Sequence, residues 1–461
     1  MNSSITLPAT TKLISILARI RQQKGIFFFH WTMDTATCDL LQLSASPALS
    51  SRIQFYGEKP EEEWGLLALD CLERLTPEPG DSILQIKSQL DQFRARCLGY
   101  SPGSISMPII VGGCAFDPSC NSLNHWQTIP SREFVLPGIY WLKTCKGTTL
   151  TIIIPLDGSE SASDVQSVLG EKLEFITNCN DLIRFEKNEV VADYHFPARD
   201  RYHQQVKKTQ DFIQSSAQKQ IQKVVLSRFR KITFANPVNP VPLLINLRRL
   251  YPQCLIYFFP LGENKFLLGA TPELLIEKTH DVISTMALAG TAEKHDELPL
   301  SQDPKEQLEH QLVIDHLLDK LGDFVSSVEV GSPKTWLLQN LCHLRTDITG
   351  VLQKKEHILD ILTEIHPTPA TAGYPVEPVL PFIAQTEEGC RGWYAGVLGW
   401  MDGCGDGAYY VGLRSALLDG YDLYIHAGGG ILPASDPEQE WQETQLKMES
   451  ILTAMDLKGS I

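Results

Sequence analysis

The residues that could do chemistry lie in three short segments of the second half of the chain. Segment 223–228 places the amine of Lys223 at the start of a β-branched run, and segment 269–275 places the carboxyl of Glu273 directly after a proline. Segment 287–291 has only small or apolar residues where a cationic side chain could have stood. An amine and a carboxyl can take and give protons in turn, so the set suggests addition and elimination on one small molecule.

The sequence around Lys223 and Glu273 predicts that both side chains are partly removed from water. Three apolar residues follow Lys223, and burial disfavours the charged form of an amine, which would make it a usable base near neutral pH. Glu273 lies in an apolar stretch between Phe266 and Ile276, where a carboxyl tends to keep its proton and can act as an acid. The alternatives are a lysine that reaches solvent from a strand end and a glutamate in a capped turn.

Glutamates on two predicted helices could hold a metal ion. Glu309 lies on a helix predicted over residues 305–321. Glu440 and Glu443 are three positions apart on a helix predicted over residues 436–455, so both project from one face. Carboxylates without neighbouring cysteine ligands suit a hard ion such as Mg²⁺ better than zinc. The alternative for each helix taken alone is a solvated charged face.

A glycine run and an arginine could bind an anion. Residues 427–431 read Ala-Gly-Gly-Gly-Ile directly after a predicted strand, and glycines expose backbone N–H groups that can hold an oxyanion. Arg414, on a predicted hairpin strand, could pair with a carboxylate, and loop 366–373 adds hydroxyl and imidazole groups. A structural turn and a surface arginine are the alternatives. Together the segments predict a site for a small, multiply carboxylated molecule bridged by a divalent cation.

The composition of the chain excludes several classes of protein. The 461 residues carry a formal net charge of −15, which leaves no broad positive surface for nucleic acid or an anionic membrane. Hydrophobic residues make up 43% and charged residues 21%, as is ordinary for a soluble globular protein. No apolar run approaches the roughly 20 residues that span a bilayer. The 11 cysteines are scattered without a C-x-x-C pair, which predicts reduced thiols and a cytoplasmic location.

The elements that must position these residues are strands and helices in irregular alternation. In the first half, short apolar runs bounded by turn residues predict strands at 25–29, 108–113, 138–142 and 150–154. In the second half, helices are predicted at 200–220, 305–321 and 436–455, and a strand at 223–229. Asp419 and Gly420 suit a tight hairpin turn between strands 408–414 and 421–426. This mixture predicts an α+β fold and not a doubly wound parallel sheet.

The order of these motifs resembles that of the chorismate-utilising enzymes. The motifs span about residues 198–456 and are, in order, K-V-V-L-S-R, G-A-T-P-E-L-L, A-G-T, E-H, H-P-T-P-A, Y-A-G-x-x-G, L-R, A-G-G-G-I and E-W-x-E-T. Within the family the pattern is most similar to that of the isochorismate synthases. The first half is matched only loosely, around residues 112–117. The resemblance implies an α+β fold of large mixed, mainly antiparallel sheets flanked by helices, with a structural N-terminal half at 1–197 and a chorismate-binding catalytic region at 198–461.

The resemblance also implies a role for each candidate residue. Lys223 would be the general base that activates water for attack at C2 of chorismate, and Glu273 would be the general acid for loss of the C4 hydroxyl. Mg²⁺ would be bound by Glu309 and Glu440, with Glu443 nearby, and would bridge to the ring carboxylate of the substrate. The residues that would line the substrate pocket are Ala289, Gly290, Thr291, His343, Thr368, Tyr394, Arg414, Gly428, Gly429 and Gly430. Water is a poor nucleophile and hydroxide a poor leaving group, so one group must take a proton while another gives one.

The choice of reaction within the family depends on few residues. Ala289 stands where the relatives that add ammonia, the anthranilate and aminodeoxychorismate synthases, have a lysine before Gly-Thr. Lys223 stands where those relatives lack a base, and no glutamine-amidotransferase segment is recognisable. The expected enzyme is therefore an isomerase that converts chorismate reversibly to isochorismate without an amidotransferase subunit. The alternatives are a salicylate synthase, which shares the Lys/Glu pair and adds pyruvate elimination, and a catalytically silent metabolite-binding relative of the same fold.

Overall fold

Two compact units make up the chain in a computed structural model, which describes residues 7–23, 25–75, 83–100, 108–120, 124–177, 188–215, 221–293, 300, 302–339, 341–387 and 389–457. The first unit comprises Met1–Gly112, Glu133–Phe185 and Trp400–Cys404. The second comprises Gly113–Arg132, Glu186–Gly399 and Gly405–Ile461, and it contains every predicted site residue. The predicted halves, 1–197 and 198–461, divide the chain by function, whereas the two units divide it by packing. The placing of the catalytic region at 198–461 therefore stays a proposal.

The first unit is built on a mostly antiparallel sheet. The strands β1 to β9 are Phe27–Thr35, Ile53–Lys59, Trp64–Leu69, Glu73–Leu75, Cys97–Tyr100, Ile109–Cys114, Arg132–Leu136, Ile139–Thr144 and Gly147–Leu156. Within this unit, neighbours in the order β2-β3-β8-β9-β1-β5 are hydrogen-bonded, and only β1 and β5 are parallel. Phe29, Trp31, Leu67 and Trp141 form part of its core and are fully buried. The four strands predicted in the first half are confirmed.

Five described helices accompany these strands. They are α1 (Thr10–Arg21), α2 (Leu40–Ser44), α3 (Pro47–Ser50), α4 (Ile83–Ala95) and α5 (Ala162–Thr177), and a 3₁₀ turn spans Pro60–Glu62. In α1, Leu13, Leu17 and Ile20 recur at helical spacing and are buried. This apolar stripe explains why α1 packs against α5 within the unit.

The second unit contains two antiparallel sheets. The strands β10 to β23 are Val190–Phe196, Lys223–Phe234, Leu255–Gly262, Lys265–Thr271, Leu274–Thr279, Val282–Glu293, Val325–Val330, Lys334–Leu337, Leu341–Leu352, Gly373–Tyr374, Val397–Asp402, Gly407–Val411, Ser415–Asp419 and Asp422–Ile431, and the end of β20 from Trp400 onwards belongs to the first unit. One sheet has the order β10-β11-β23-β22-β13-β12, with β19 beside β11. The other has the order β16-β18-β15-β14-β21, with β17 beside β18. The predicted fold class, α+β with large, mainly antiparallel sheets, is confirmed.

Six described helices flank these sheets. They are α6 (Arg199–Ser215), α7 (Pro240–Leu250), α8 (Pro304–Leu321), α9 (Ile358–Ile365), α10 (Val376–Thr386) and α11 (Pro437–Ala454). Asp303 and Asp436 begin α8 and α11, since their side chains accept backbone N–H groups and a proline occupies the first helical position. The predicted helices are confirmed, although the end of the helix predicted over 200–220 lies outside the described residues. Helix α8 packs on β15 and α11 packs on β23, so both bring glutamates to the sheets.

The predicted hairpin is only partly right. The turn at Asp419 and Gly420 joins β22 to β23, and β21 belongs to the other sheet. The chain changes sheet between Val411 and Ser415, and Arg414 lies in this connection with a φ of 47°, not on a hairpin strand. A turn motif identifies only the two strands next to it. The sequence therefore could not show that the chain before this turn forms two strands, β21 and β22, in different sheets.

The expectation that the cysteines are reduced is wrong for one pair. Cys120 and Cys390, both in the second unit, form a disulfide across a sequence separation of 270 residues, with their Cα atoms 6.0 Å apart. Pairing over such a distance depends on the tertiary fold and leaves no trace in the spacing of cysteines. Among the described helices, none is long and apolar enough to cross a membrane.

Candidate active site

A cavity of about 690 Å³, here called the first cavity, is lined by residues from both sheets of the second unit. The predicted site residues that line it are Glu273, Ala289, Gly290, Thr291, Glu309, His343, Tyr394, Arg414 and Gly428. The fold therefore brings together residues that are far apart in the sequence.

Glu273 is the buried carboxyl of the first cavity. It follows β13, where its backbone N–H donates to Thr271 Oγ1 at 3.2 Å, and its carbonyl accepts from the N–H of Val411 at 3.0 Å. The residue is 3% exposed. Burial raises the pKa of Glu273 to about 8, although the positive charge of Lys223 opposes the shift. Glu273 therefore carries a proton at neutral pH and can donate it.

Lys223 is fully buried and paired with Glu309. It begins β11, and its Nζ donates to Glu309 Oε1 at 2.7 Å. Burial alone would raise the pKa of Glu309, but the charge and hydrogen bond of Lys223 outweigh it and hold that pKa below its usual value. Glu309 lines the first cavity, whereas Lys223 lies one contact behind it.

The glycines of β23 leave room for two of the predicted metal ligands. A Cβ atom at Gly430 would lie 3.1 Å from Glu309 Oε1 and 2.7 Å from Lys223 Cε. A Cβ atom at Gly429 would lie 3.0 Å from Glu440 Oε2. The two carboxylates thus approach neighbouring residues of one strand. Because the glycines are paired with β11 inside β23, they supply space within a strand and do not form a loop.

Glu440 and Glu443 differ in how their carboxylates are satisfied. Glu440 Oε1 accepts from Ser435 Oγ at 2.7 Å, whereas its buried Oε2 has no hydrogen-bond partner among the described residues. Burial, followed by the charge of Glu443, raises the pKa of Glu440 to about 7. Glu443 accepts from Lys447 Nζ at 2.6 Å. No three His, Cys, Asp or Glu side chains of the described chain converge on a metal position. The charge of Glu309 contributes to the raised pKa of Glu440, and Glu443 pairs with Lys447.

Arg414 and His343 form a second polar group in the first cavity. Arg414 Nη2 donates to His343 Nε2 at 2.8 Å, and His343 Nδ1 lies 3.0 Å from the carbonyl of Gly290 and 3.2 Å from Thr291 Oγ1. Burial and then the charge of Arg414 lower the pKa of His343 to about 3, so its ring is neutral with the proton on Nδ1. None of the described carboxylates lies within 4 Å of Arg414, which leaves its guanidinium available to an anion.

The sequence missed a lysine and misplaced a threonine in this site. Lys447 lines the first cavity, and its Nζ donates to the carbonyl of Gly428 at 2.9 Å. Its position one helical turn after Glu443 is the signal that could have found it. Thr368 is buried and does not line the cavity, whereas Thr371 does and donates from Oγ1 to the carbonyl of Thr368 at 3.2 Å.

Arg391 is a further residue that the sequence did not single out. Its guanidinium donates to the carbonyls of Val225 at 2.7 Å and Thr371 at 2.6 Å, and to the carboxylate of Glu387 at 2.5 Å. Glu387 also accepts from the backbone N–H of Ser227 at 2.7 Å. This buried pair fixes one wall of the first cavity. Apart from Glu387, the partners of Arg391 lie far from it in the sequence.

Comparisons with known proteins agree with this geometry. A family model described as chorismate binding enzyme matches residues 15–456. The isochorismate synthase MenF of Bacillus subtilis is 31% identical over 420 residues, which cover 87% of this chain and 88% of that protein. The salicylate biosynthesis isochorismate synthase of Pseudomonas aeruginosa is 31% identical over 367 residues, covering 77% and 75%. The solved structure of MenF, the menaquinone-specific isochorismate synthase of Escherichia coli, is 27% identical with a TM-score of 0.77, covering 97% of this chain and 99% of that one. The resemblance drawn from the motifs is confirmed.

Proposed function

We propose that this chain, which belongs to the chorismate-binding enzyme family, is a magnesium-dependent isochorismate synthase that converts chorismate reversibly to isochorismate. One observation carries the proposal. The carboxyl of Glu273 lines the first cavity, keeps its proton, and lies close enough to Lys223 that the positive charge of the amine acts on its pKa. Moving a hydroxyl group between two ring carbons needs one group that takes a proton and another that gives one.

The proposed reaction assigns one proton transfer to each residue. Lys223 takes a proton from the water whose oxygen bonds to C2, and the ring double bonds shift. Glu273 gives its proton to the C4 hydroxyl, which leaves as water when the C4–O bond breaks. One water enters and one leaves, so atoms balance. The two residues exchange roles in the reverse direction, which is consistent with a reversible isomerisation.

Arg414 and Lys447 are proposed to hold the carboxylates of the substrate. Both line the first cavity, where Arg414 donates to His343 and has no carboxylate partner among the described residues, and Lys447 pairs with Glu443. The planar fork of an arginine binds a carboxylate with two hydrogen bonds, which fixes the orientation of the ring. Tyr394 and Ala289 complete the proposed pocket.

Glu309 and Glu440 fit the proposed magnesium ion. The unpartnered Oε2 of Glu440 is a buried acceptor that a cation would satisfy, and an all-oxygen donor set suits a hard ion. When bound, Mg²⁺ supplies positive charge that attracts the substrate carboxylate and neutralises these glutamates. A cation held by Glu309 would share that carboxylate with Lys223, whose Nζ donates to Glu309 Oε1 at 2.7 Å.

We expect metal removal to abolish turnover and added Mg²⁺ to restore it. Mg²⁺ should also raise the melting temperature of the metal-free protein. Glu440→Gln should weaken metal binding by about ten- to a hundredfold and remove that rise. Glu438→Gln, on the solvent side of the same helix, is the matched control and should keep it. Full activity after treatment with EDTA would contradict the metal assignment.

The activity should fall as the pH rises above about 8. Glu273 acts as the acid only while protonated, and it loses its proton as the pH rises through its raised pKa of about 8. On the alkaline side kcat/KM should decrease about tenfold per pH unit. A pH–rate profile of kcat/KM checks this, and a profile that is level from pH 8 to pH 10 would remove Glu273 from the role of acid.

The proposed nucleophile is water and not ammonia. We further propose that the enzyme works without an amidotransferase subunit and is located in the cytoplasm. Ala289 lines the first cavity and is 7% exposed, so no amine enters from this position. The test is to incubate the protein with chorismate and Mg²⁺ and to separate the products. Isochorismate is the expected product. Salicylate with pyruvate would assign the alternative reaction, and no turnover would refute both.

A further inference from the structure

A second cavity, of about 900 Å³, adjoins the first cavity in the second unit. The two cavities share Arg391 and His426, which therefore form a common wall. The reaction proposed above does not use the second cavity. Its lining comes from β10, β11 and β23, from the segment that contains Asn124 and His125, and from Glu387 and residues 389–391.

Five side chains on three adjacent strands form an aromatic platform in the second cavity. Phe196 pairs with Phe229, and Phe229 pairs with His426, so all three project from one face of the sheet. Two residues away on the outer strands, Tyr194 and Tyr424 project from the same face. The rings of Phe196 and Phe229 are 5.1 Å apart and nearly parallel, at 24°.

The aromatic platform already carries one planar ring of the chain itself. The ring of His125 lies 4.1 Å from that of Tyr424 at an angle of 10°, and 4.8 Å from that of Phe229. By contrast, Tyr194 and Phe196 remain 49% and 41% exposed. The part of the platform formed by Tyr424 and Phe229 therefore already packs against a flat ring. Tyr194 and Phe196 present a similar aromatic surface to solvent.

The charged residues of the second cavity are occupied elsewhere. Glu387 and Arg391 pair with each other at 2.5 Å. Arg228 alternates to the opposite face of the sheet, where its Nε donates to Thr444 at 2.7 Å and its guanidinium stacks on Trp441. Burial lowers the pKa of His125 to about 3, so this ring is neutral. Among the described lining residues, no charge is left to select an ionic ligand.

We propose that the second cavity binds an uncharged planar aromatic ring, stacked on Tyr194 and Phe196 beside His125. This inference does not depend on the proposed reaction. The common wall links the two cavities, because the ring of His426 stacks on that of Tyr394, which lines the first cavity, at 5.1 Å and 20°.

Three probes of similar size test the proposal by calorimetry on the full chain. They are 2-naphthol, which is flat and uncharged, 2-naphthoate, which is flat and anionic, and decahydro-2-naphthol, which is uncharged and not flat. We expect 2-naphthol to bind, and the other two to bind about tenfold more weakly or not at all. Absence of 2-naphthol binding, or equal binding of the saturated analogue, would overturn the proposal.

Two variants locate the binding. Tyr194→Leu and Phe196→Leu keep apolar volume but remove a ring, and each should weaken 2-naphthol binding about tenfold. Tyr421→Leu is the matched control, since Tyr421 is 51% exposed and lines neither cavity. Displacement of 2-naphthol by chorismate would place the probe in the first cavity and refute the assignment. Self-association of the protein that the two variants abolish would assign the aromatic platform to an interface instead.

Discussion

Glu273→Gln should reduce kcat by about 10²- to 10⁴-fold while leaving the protein folded. Burial keeps Glu273 protonated at neutral pH, so glutamine replaces a neutral carboxyl by a neutral amide of nearly the same shape. The variant removes no charge and leaves no ion unpaired, but the amide has no acidic proton to give. Turnover of chorismate at pH 7 measures the first effect, and thermal unfolding measures the second.

The control for this variant is Glu277→Gln, in the strand that directly follows Glu273. Glu277 lies in β14, four residues further along, and is exposed. We expect it to leave turnover unchanged. If Glu273→Gln keeps more than a tenth of the activity, Glu273 is not the acid. If the variant loses activity only because it unfolds, the role of Glu273 is structural.

Lys223→Met should remove activity and stability together. The loss of the base should lower kcat by about 10²- to 10⁴-fold. It also leaves the carboxylate of Glu309 without its buried partner, which in metal-free protein should cost about 3–5 kcal/mol of unfolding free energy. Turnover and denaturant unfolding without metal measure the two effects separately.

A double variant separates the two roles of Lys223. Lys223→Met with Glu309→Gln removes the unpaired charge, so we expect it to regain most of the stability without regaining activity. Lys265→Met, which breaks a pair with Asp419 at the far end of β13, serves as the control for loss of a lysine. Near-normal turnover of Lys223→Met would show that another group is the base.

The sequence predicted the elements whose signals are local. The cap and proline at Asp436 placed the start of α11 correctly, because a helix end is determined by residues within one turn. The division of the run before Arg414 between two sheets was not predictable in the same way. It depends on which strands find partners across the fold, and a period of two residues is the same in either sheet.

The candidate site could be predicted residue by residue but not as a set of contacts. The motifs identified Lys223, Glu309 and Glu443, yet the pairing of Lys223 with Glu309 joins residues that are 86 positions apart. The placing of Glu443 near the metal stays a prediction, and the motifs did not indicate that its carboxylate accepts from Lys447. Arg391 has no recognisable motif, because most of its partners are backbone carbonyls, which every residue type provides.

The buried pair of Arg391 and Glu387 makes one position in the wall intolerant of substitution. The guanidinium reaches two carbonyls and a carboxylate at once, which requires donors on all three nitrogens of a rigid plane. Lysine keeps the charge but has donors at a single atom, so it would satisfy the carboxylate and abandon at least one carbonyl. Position 391 therefore has no conservative replacement, because any other side chain leaves a buried carbonyl or carboxylate without its partner.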